Sequence, residues 1–240
     1  MHKNSLRAMM VMIAAASWCA TSAWAYDGAA VTGGGAIAGT VKLQGTVPAP
    51  KALEVTKDKE VCGQHEIKAE DLVVGAGGGI QNAVVSITNI KKGKPMEAGS
   101  PVLDQKGCQY LPHVLLFPAG STVKINNDDG ILHNIHTYST KNPPINMAQP
   151  KFKKTIEAKF DQPEVIKATC DAHGWMQGWF IAEDHPYYAK TDANGSYKLT
   201  DVPPGEYEVK VWHEKLGEKT QKVTVAGGAE AKADFELAPK

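Results

Sequence analysis

Arginine is almost missing from this chain. Arg7 is the single one among 240 residues, and lysine carries nearly all the positive charge, with 26 basic residues against 26 acidic ones for a net charge of +0. Guanidinium forks are the usual means of gripping phosphate bidentately. Their absence, with a charge near zero, argues against a nucleic-acid partner. Helical periodicity is also lacking, and no apolar run reaches the ~20 residues a bilayer-crossing helix needs. No Ser-His-Asp pattern, phosphate-cradling glycine loop or framed pair of carboxylates is present. Cysteine is scarce, at four residues.

The N-terminus is different from the rest. Met1 to Arg7 is basic, Ala8 to about Ala20 is apolar, and Ala23-Trp24-Ala25 is a small-x-small cleavage site. This pattern predicts a secretory signal peptide over residues 1–25, cut after Ala25. The remainder is then expected to be soluble, without a membrane span, and periplasmic or extracellular. Lys3 and Arg7 leave with the leader, so acids exceed bases by two in what remains. Cys19 leaves as well. Three cysteines in an oxidising compartment require an account of the odd one. The simplest pairing joins Cys62 to Cys108 and leaves Cys170 free. In the alternative, Cys170 pairs with one of them and the third thiol is buried.

Short alternating runs punctuated by Gly, Pro, Asn and Asp predict an all-β fold. Strands are expected at Ala36–Leu43, Ala83–Ile87, Val114–Phe117, Thr122–Asn126, Ile156–Phe160, Val165–Thr169 and Gly178–Ala182. Ser139 to Pro150 reads as loop. Thr191 to Gly195 reads as a hairpin turn, followed by the alternating Tyr197 and Leu199, then Tyr207, Val209 and Val211.

The densest chemistry lies in Cys170-Asp171-Ala172-His173-Gly174-Trp175-Met176, a thiol, an imidazole and a thioether within seven residues. The stretch Asn126 to His136 offers further histidines. One Cys, two His and a weak Met form the ligand set of a mononuclear blue-copper site, where thiolate favours Cu(I) and imidazole also suits Cu(II). The expected strands put Cys170 and His133 at one end of a sandwich. His136, three residues beyond His133, would face the other way on a strand. It and His113, which precedes Val114–Phe117, are the candidates for an extra ligand. His65, His185 and His213 lack such company and are expected at the surface.

From about Tyr110 to Glu183 the sequence resembles the cupredoxin family, the plastocyanin-like blue-copper proteins. The residues that carry the resemblance are Pro118-Ala119-Gly120-Ser121-Thr122-Val123, Asn126-Asn127, His133-Asn134-Ile135, Cys170-x-x-His173 and Gln177-Gly178. The resemblance implies a Greek-key cupredoxin sandwich over residues 98–185. It implies one copper ion held by His133, Cys170, His173 and Met176, with His173 as the electron exit. The His173-x-x-Met176 gap is shorter than plastocyanin-like loops usually have. Asn134 would tie the ligand loops together and Trp175 would shield the metal, since hydrogen bonds behind the ligands orient them.

A second resemblance, to a carboxypeptidase-regulatory-like (transthyretin-type) β-sandwich, rests on four stretches. They are Gly39-Thr40-Val41 with Gly45, Asn82 to Ile87, Thr191-Asp192-x-x-Gly195-x-Tyr197-x-Leu199, and Val202-Pro203-Pro204-Gly205-x-Tyr207-x-Val209. It implies a small sandwich over residues 35–92 and 186–238, with the copper domain inserted. Together the readings lead to a secreted blue-copper carrier of single electrons, not an enzyme. Its expected partner is a redox protein such as a cytochrome or oxidase. The two alternatives are a copper-handling chaperone or buffer, and a copper enzyme with an open coordination position.

Overall fold

The computed structural model describes residues 26–239. The expected leader, residues 1–25 with its cut after Ala25, lies outside the described residues. Among the described residues the fold is all β, apart from the four-residue helix Lys59–Cys62 and a 3-10 turn at Ala76–Gly78. None of their helices is long and apolar enough to cross a membrane.

The middle of the chain forms one sandwich. Its first sheet runs, in spatial order, Asn146–Gln149, His133–Thr137, Glu164–Thr169, Gln177–Glu183 and Val114–Pro118. Its second runs Thr155–Phe160, Ser121–Asn127, Val102–Lys106 and Gln109–Leu111. The two-residue period of a strand decides what faces inward. Val123 and Ile125 are buried while Thr122 and Lys124 are exposed, and Ile156, Ala158 and Phe160 alternate in the same way next door. They pack with Ile135, Ile166, Phe117 and Phe180 of the facing sheet. The rings of Phe117, Phe160 and Phe180 sit 5.4 to 6.1 Å apart in tilted and edge-on pairs, the arrangement the aromatic quadrupole favours.

A second sandwich is made from the two ends of the described chain. Gly205–His213 is flanked by Gly217–Val225 and Val84–Ile87, and Tyr188–Lys190 pairs with the latter. Opposite lies Gly35–Leu43, paired with Ser196–Val202, Glu230–Lys232 and Phe235–Leu237. Ile37, Val41, Val85, Val209, Val211 and Phe235 fill the space between. The turn after Lys190 is set locally: Asp192 Oδ1 accepts the N–H of Asn194 and of Ser196, each at 2.8 Å. Gly195 holds φ +75, where a side chain would strike the Val41 carbonyl.

The chain leaves this second sandwich after Val84–Ile87 and returns at Tyr188–Lys190, with Tyr188 opposite Ser86. Exit and entry are therefore neighbours, the condition under which one compact unit carries another within its chain. The two sandwiches touch through Val84, Val114 and Ile181 and through Trp179 and Trp212, whose rings are 5.1 Å apart. Lys190 Nζ also donates to the Val114 carbonyl at 2.9 Å.

Three expectations need correction. Within Ser139 to Pro150, read as loop, Asn146–Gln149 is a strand with Met147 opposite Ile135. Asn and, to a lesser degree, Ala are depleted in strands, so the pairing comes from the neighbouring edge. Second, the stretch 51–69 lies within the expected 35–92 unit but packs elsewhere: Cys62 and Ile67 are buried in the core of the middle sandwich, and Cys62 is bonded to Cys108. Closing a 46-residue separation restricts the unfolded chain by about 4 kcal/mol in chain-entropy terms. Third, His185 and His213 are buried rather than superficial; burial lowers the His213 pKa to about 4.

Glu164 pins the loop that precedes Asn146–Gln149. Its carboxylate accepts from the Thr140 N–H and hydroxyl, the Lys141 N–H, and the Asn142 N–H and side-chain amide. Burial pushes its pKa up, but these bonds outweigh that and hold it at about 2, against an ordinary 4.5. A carboxyl depressed on folding stabilises fully above its unfolded value and loses that effect as pH falls through the folded value. Glu164→Gln is expected to cost about 1 kcal/mol at pH 7, with the gap to the parent closing between pH 4.5 and 2. Thermal unfolding across that range checks it, and a gap independent of pH contradicts it.

Candidate metal centre

His133 begins the strand His133–Thr137 directly after the turn Asp128-Asp129-Gly130. Cys170 follows Glu164–Thr169, and His173 and Met176 lie in the turn leading into Gln177–Glu183. Thr169 is paired with His136 on one side and with Gln177 on the other. This register brings residue 133 and the turn 170–176 to one end of one sheet. The turn is tight: the Met176 N–H donates to the His173 carbonyl at 2.9 Å, and the Cys170 N–H to the Met176 carbonyl at 3.1 Å. Asn134 joins the strand to the turn. Its Oδ1 accepts the Asp171 N–H, and its Nδ2 donates to Asn146 Oδ1 at 2.8 Å and Asp171 Oδ2 at 3.2 Å.

Three donors converge here. His133 Nδ1 and His173 Nδ1 are 3.0 Å apart, and Cys170 Sγ is 4.0 Å from the first and 3.8 Å from the second. All three side chains are buried, at 0%, 0% and 2% exposure for His133, His173 and Cys170. Metal bonds of ~2.0 Å to nitrogen and ~2.3 Å to sulfur are compatible with these separations. Separations of this size would let His133, Cys170 and His173 hold one first-row ion together.

The proton arrangement points the same way. His133 Nε2 lies 2.9 Å from Asp129 Oδ2, and His173 Nε2 lies 2.8 Å from Asp58 Oδ2. A carboxylate only accepts, so each Nε2 carries a proton, and each neutral ring then turns an Nδ1 lone pair inward. Two lone pairs and a sulfur thus face one buried point. One proton can relieve two of them, and the pKa shifts follow that pattern. Burial works against protonation of His133, but Asp129 and Cys170 more than offset it and raise its pKa. Burial lowers His173, and the neighbouring His133 charge adds to this against the opposing pull of Asp58. Burial raises Cys170, yet His133 and the N–H groups of Asn134, His173 and Ala172 bring it below its ordinary value. A cation would replace the shared proton and satisfy all three bases at once.

The structure brings His133, Cys170 and His173 together, and Cys170 is a free thiol. Met176 is buried in the same core. With Trp175, Tyr110 and Ile67 it lines a cavity of about 260 Å³. His136 stands apart from the three donors, with Nδ1 3.0 Å from Asp171 Oδ1 and its ring stacked on Tyr138. His113 is also apart, buried against Glu214 of the other sandwich. Trp175 does lie against the centre, its ring 5.0 Å from that of His173 and its Nε1 donating to the Cys108 carbonyl. The His173 ring is buried and its outer nitrogen is taken by Asp58.

Asp58 and Asp129 are the residues that sequence reasoning missed, together with the backbone contacts of Cys108 to Asp129 and Trp175. Asp129 was detectable in principle, four residues before His133 on a tight turn. Asp58 had no signal, because the contact spans 115 residues. Asp58 and Cys108 also hold left-handed backbone, φ 49 and φ 55, which costs about 1–3 kcal/mol per non-glycine residue.

Comparison with known proteins adds three findings. Residues 181–238 match the family model of the carboxypeptidase regulatory-like domain. Among curated proteins nothing matches closely. Several solved structures are similar to part of this chain. A Cu-containing nitrite reductase (NirK) from Thermus scotoductus SA-01 is 21% identical over 38% of this chain and 24% of its own, with a TM-score of 0.33. This chain therefore spans about a quarter of that enzyme. A novel purple cupredoxin from Nitrosopumilus maritimus is 24% identical over 35% of this chain and 100% of its own, with a TM-score of 0.31. Amicyanin from Paracoccus versutus is 21% identical over 41% and 97%, with a TM-score of 0.31.

Asn134 offers a direct check on how the two ligand-bearing elements are joined. Asn134→Ala would strip a buried acceptor from the Asp171 N–H and free the Asn146 side chain. It is expected to cost about 2 kcal/mol in urea unfolding. An unchanged midpoint would show that the strand and the turn are held together without it.

Proposed function

We propose that this chain is a mononuclear blue-copper protein that carries single electrons. The observation that supports it most is the set of three buried bases, His133 Nδ1, His173 Nδ1 and Cys170 Sγ, aimed at one point with both outer nitrogens already committed. When bound, copper supplies a centre that alternates between Cu(I) and Cu(II), and mixed thiolate and imidazole ligation suits both states.

The chain's own residues do the rest. Cys170 offers the thiolate, and the lowering of its pKa favours the ligating form. Asp129 and Asp58 hold the Nε2 protons, so that neither ring needs to turn or change tautomer when a metal binds. The sandwich core and the covering stretch 51–69 keep water out and limit rearrangement between the oxidation states. Met176, in the same buried turn, would be the weak fourth ligand, and its backbone bonds to His173 and Cys170 fix its place in the loop. His136 and His113 have other partners and are not included in the ligand set.

Burial also separates this reading from its rivals. A copper chaperone or buffer works by ready exchange, and an open-site enzyme needs a position that a substrate can reach. Three donors at no more than 2% exposure favour neither. A secreted location is consistent with the leader pattern and with the disulfide, which persists in oxidising compartments. The partner would be another redox protein, such as a cytochrome or oxidase.

Titration of the mature protein with Cu(II), followed by visible and electron-paramagnetic-resonance spectra, tests the proposal beside a Cys170→Ser control. The expected result is an intense thiolate-to-copper absorption that saturates at one equivalent and is lost in the control. A weak spectrum that survives Cys170→Ser would remove the electron-carrier reading.

A further inference from the structure

The two carboxylates behind the imidazoles converge on one disulfide. Asp58 stands just before the helix Lys59–Cys62, a place where aspartate ordinarily caps the helix with its own side chain. No such bond forms here. The carboxylate instead crosses to His173 Nε2 at 2.8 Å. Four residues later Cys62 is bonded to Cys108. The Cys108 N–H donates to Asp129 Oδ2 at 2.8 Å, and the adjacent Gly107 N–H donates to Oδ1 at 2.6 Å. Asp129 in turn holds His133. The Cys108 carbonyl receives Trp175 Nε1 at 3.2 Å. One covalent bond thus lies between the supports of both rings, and the left-handed residues Asp58 and Cys108 stand on its two sides. Such backbone persists where the surroundings impose it.

The stretch 51–69 has the form of a strap. Its base is closed by the Leu53 N–H to the Ile67 carbonyl and the Ala69 N–H to the Lys51 carbonyl, each at 2.8 Å. Its far end is tied by the disulfide, and Leu53, Val55 and Val61 pack beneath it. The Asp58 side chain is 31% exposed while the ring it covers is wholly buried. Asp58 is therefore the layer between His173 and solvent.

We propose that Asp58, stapled over the centre by the Cys62–Cys108 disulfide, is the positioning residue that fixes His173 and closes the metal site, an inference that rests on the copper reading above. Its carboxylate keeps the proton on Nε2 and the Nδ1 lone pair inward, and its strap keeps water from the ring. Loss of the staple releases Asp58 from His173 and loosens the Cys108 N–H that orients Asp129.

The experiment compares the parent protein with Asp58→Ala, Asp58→Asn and the double variant Cys62→Ser/Cys108→Ser. Long-range nitrogen–proton NMR of the metal-free protein reads which ring nitrogen carries the proton. Transfer of bound copper to a chelator reads how fast the metal leaves. The parent is expected to show His173 protonated at Nε2. Asp58→Ala should mix the His173 tautomers, leave His133 unchanged and speed copper release 10- to 100-fold, the usual effect of removing a group behind a ligand. Asp58→Asn, which keeps an acceptor oxygen, should fall between. The double serine variant should disturb both histidines. If it does not fold, the parent reduced with a phosphine replaces it in the same measurements. Asp58→Ala with an unchanged His173 tautomer and release within twofold of the parent would overturn the inference, as would a fall in melting temperature with neither readout moved. If the parent takes up no copper, the copper reading fails, and the tautomer measurement still decides the role of Asp58.

Discussion

Both imidazoles at the centre are held from behind. A histidine ring that must offer one nitrogen inward has to place the proton of the other, and in a buried site only a fixed acceptor can do so at low cost. Asp129 does this for His133 and Asp58 for His173. Each Nδ1 lone pair is then left facing the other and the Cys170 sulfur, so the point between them is a place for a cation or a shared proton. That crowding lowers the pKa of Cys170 and raises that of His133, while burial, reinforced by His133, lowers that of His173.

That constraint accounts for features that look unrelated along the chain. The irregular stretch 51–69 leaves the sandwich that flanks it and packs into the middle one, because Asp58 and Cys62 have their partners there. Gly107 and Cys108 turn their N–H groups toward Asp129 rather than into a strand ladder. Trp175 leans over His173 with its Nε1 tied to Cys108. Strand pairing alone would bring His133 and Cys170 to one end of the sheet, but it would leave the rings free to rotate.

The second sandwich contributes rigidity rather than donors. The pairing of Val84–Ile87 with Tyr188–Lys190 closes the base of the insertion, and Trp179 against Trp212 with Val84, Val114 and Ile181 buries its contact surface. His113 is consumed by that junction. Its partner Glu214 belongs to the other sandwich, so a histidine that sequence order placed near the ligand rim serves to join the two units.

The all-β fold, most of the core strands and the grouping of His133 with Cys170 and His173 were determined by the sequence alone. Period-2 burial is a local property, and three of the chemically active side chains lie on one short turn. Asn146–Gln149 was illegible because its residues are poor strand formers and an existing edge imposed the pairing. The burial of His173, its carboxylate partner and the path of 51–69 were decided only in three dimensions. They depend on contacts between residues more than 40 positions apart, and no local pattern in a single chain encodes which distant carboxylate a buried imidazole will meet.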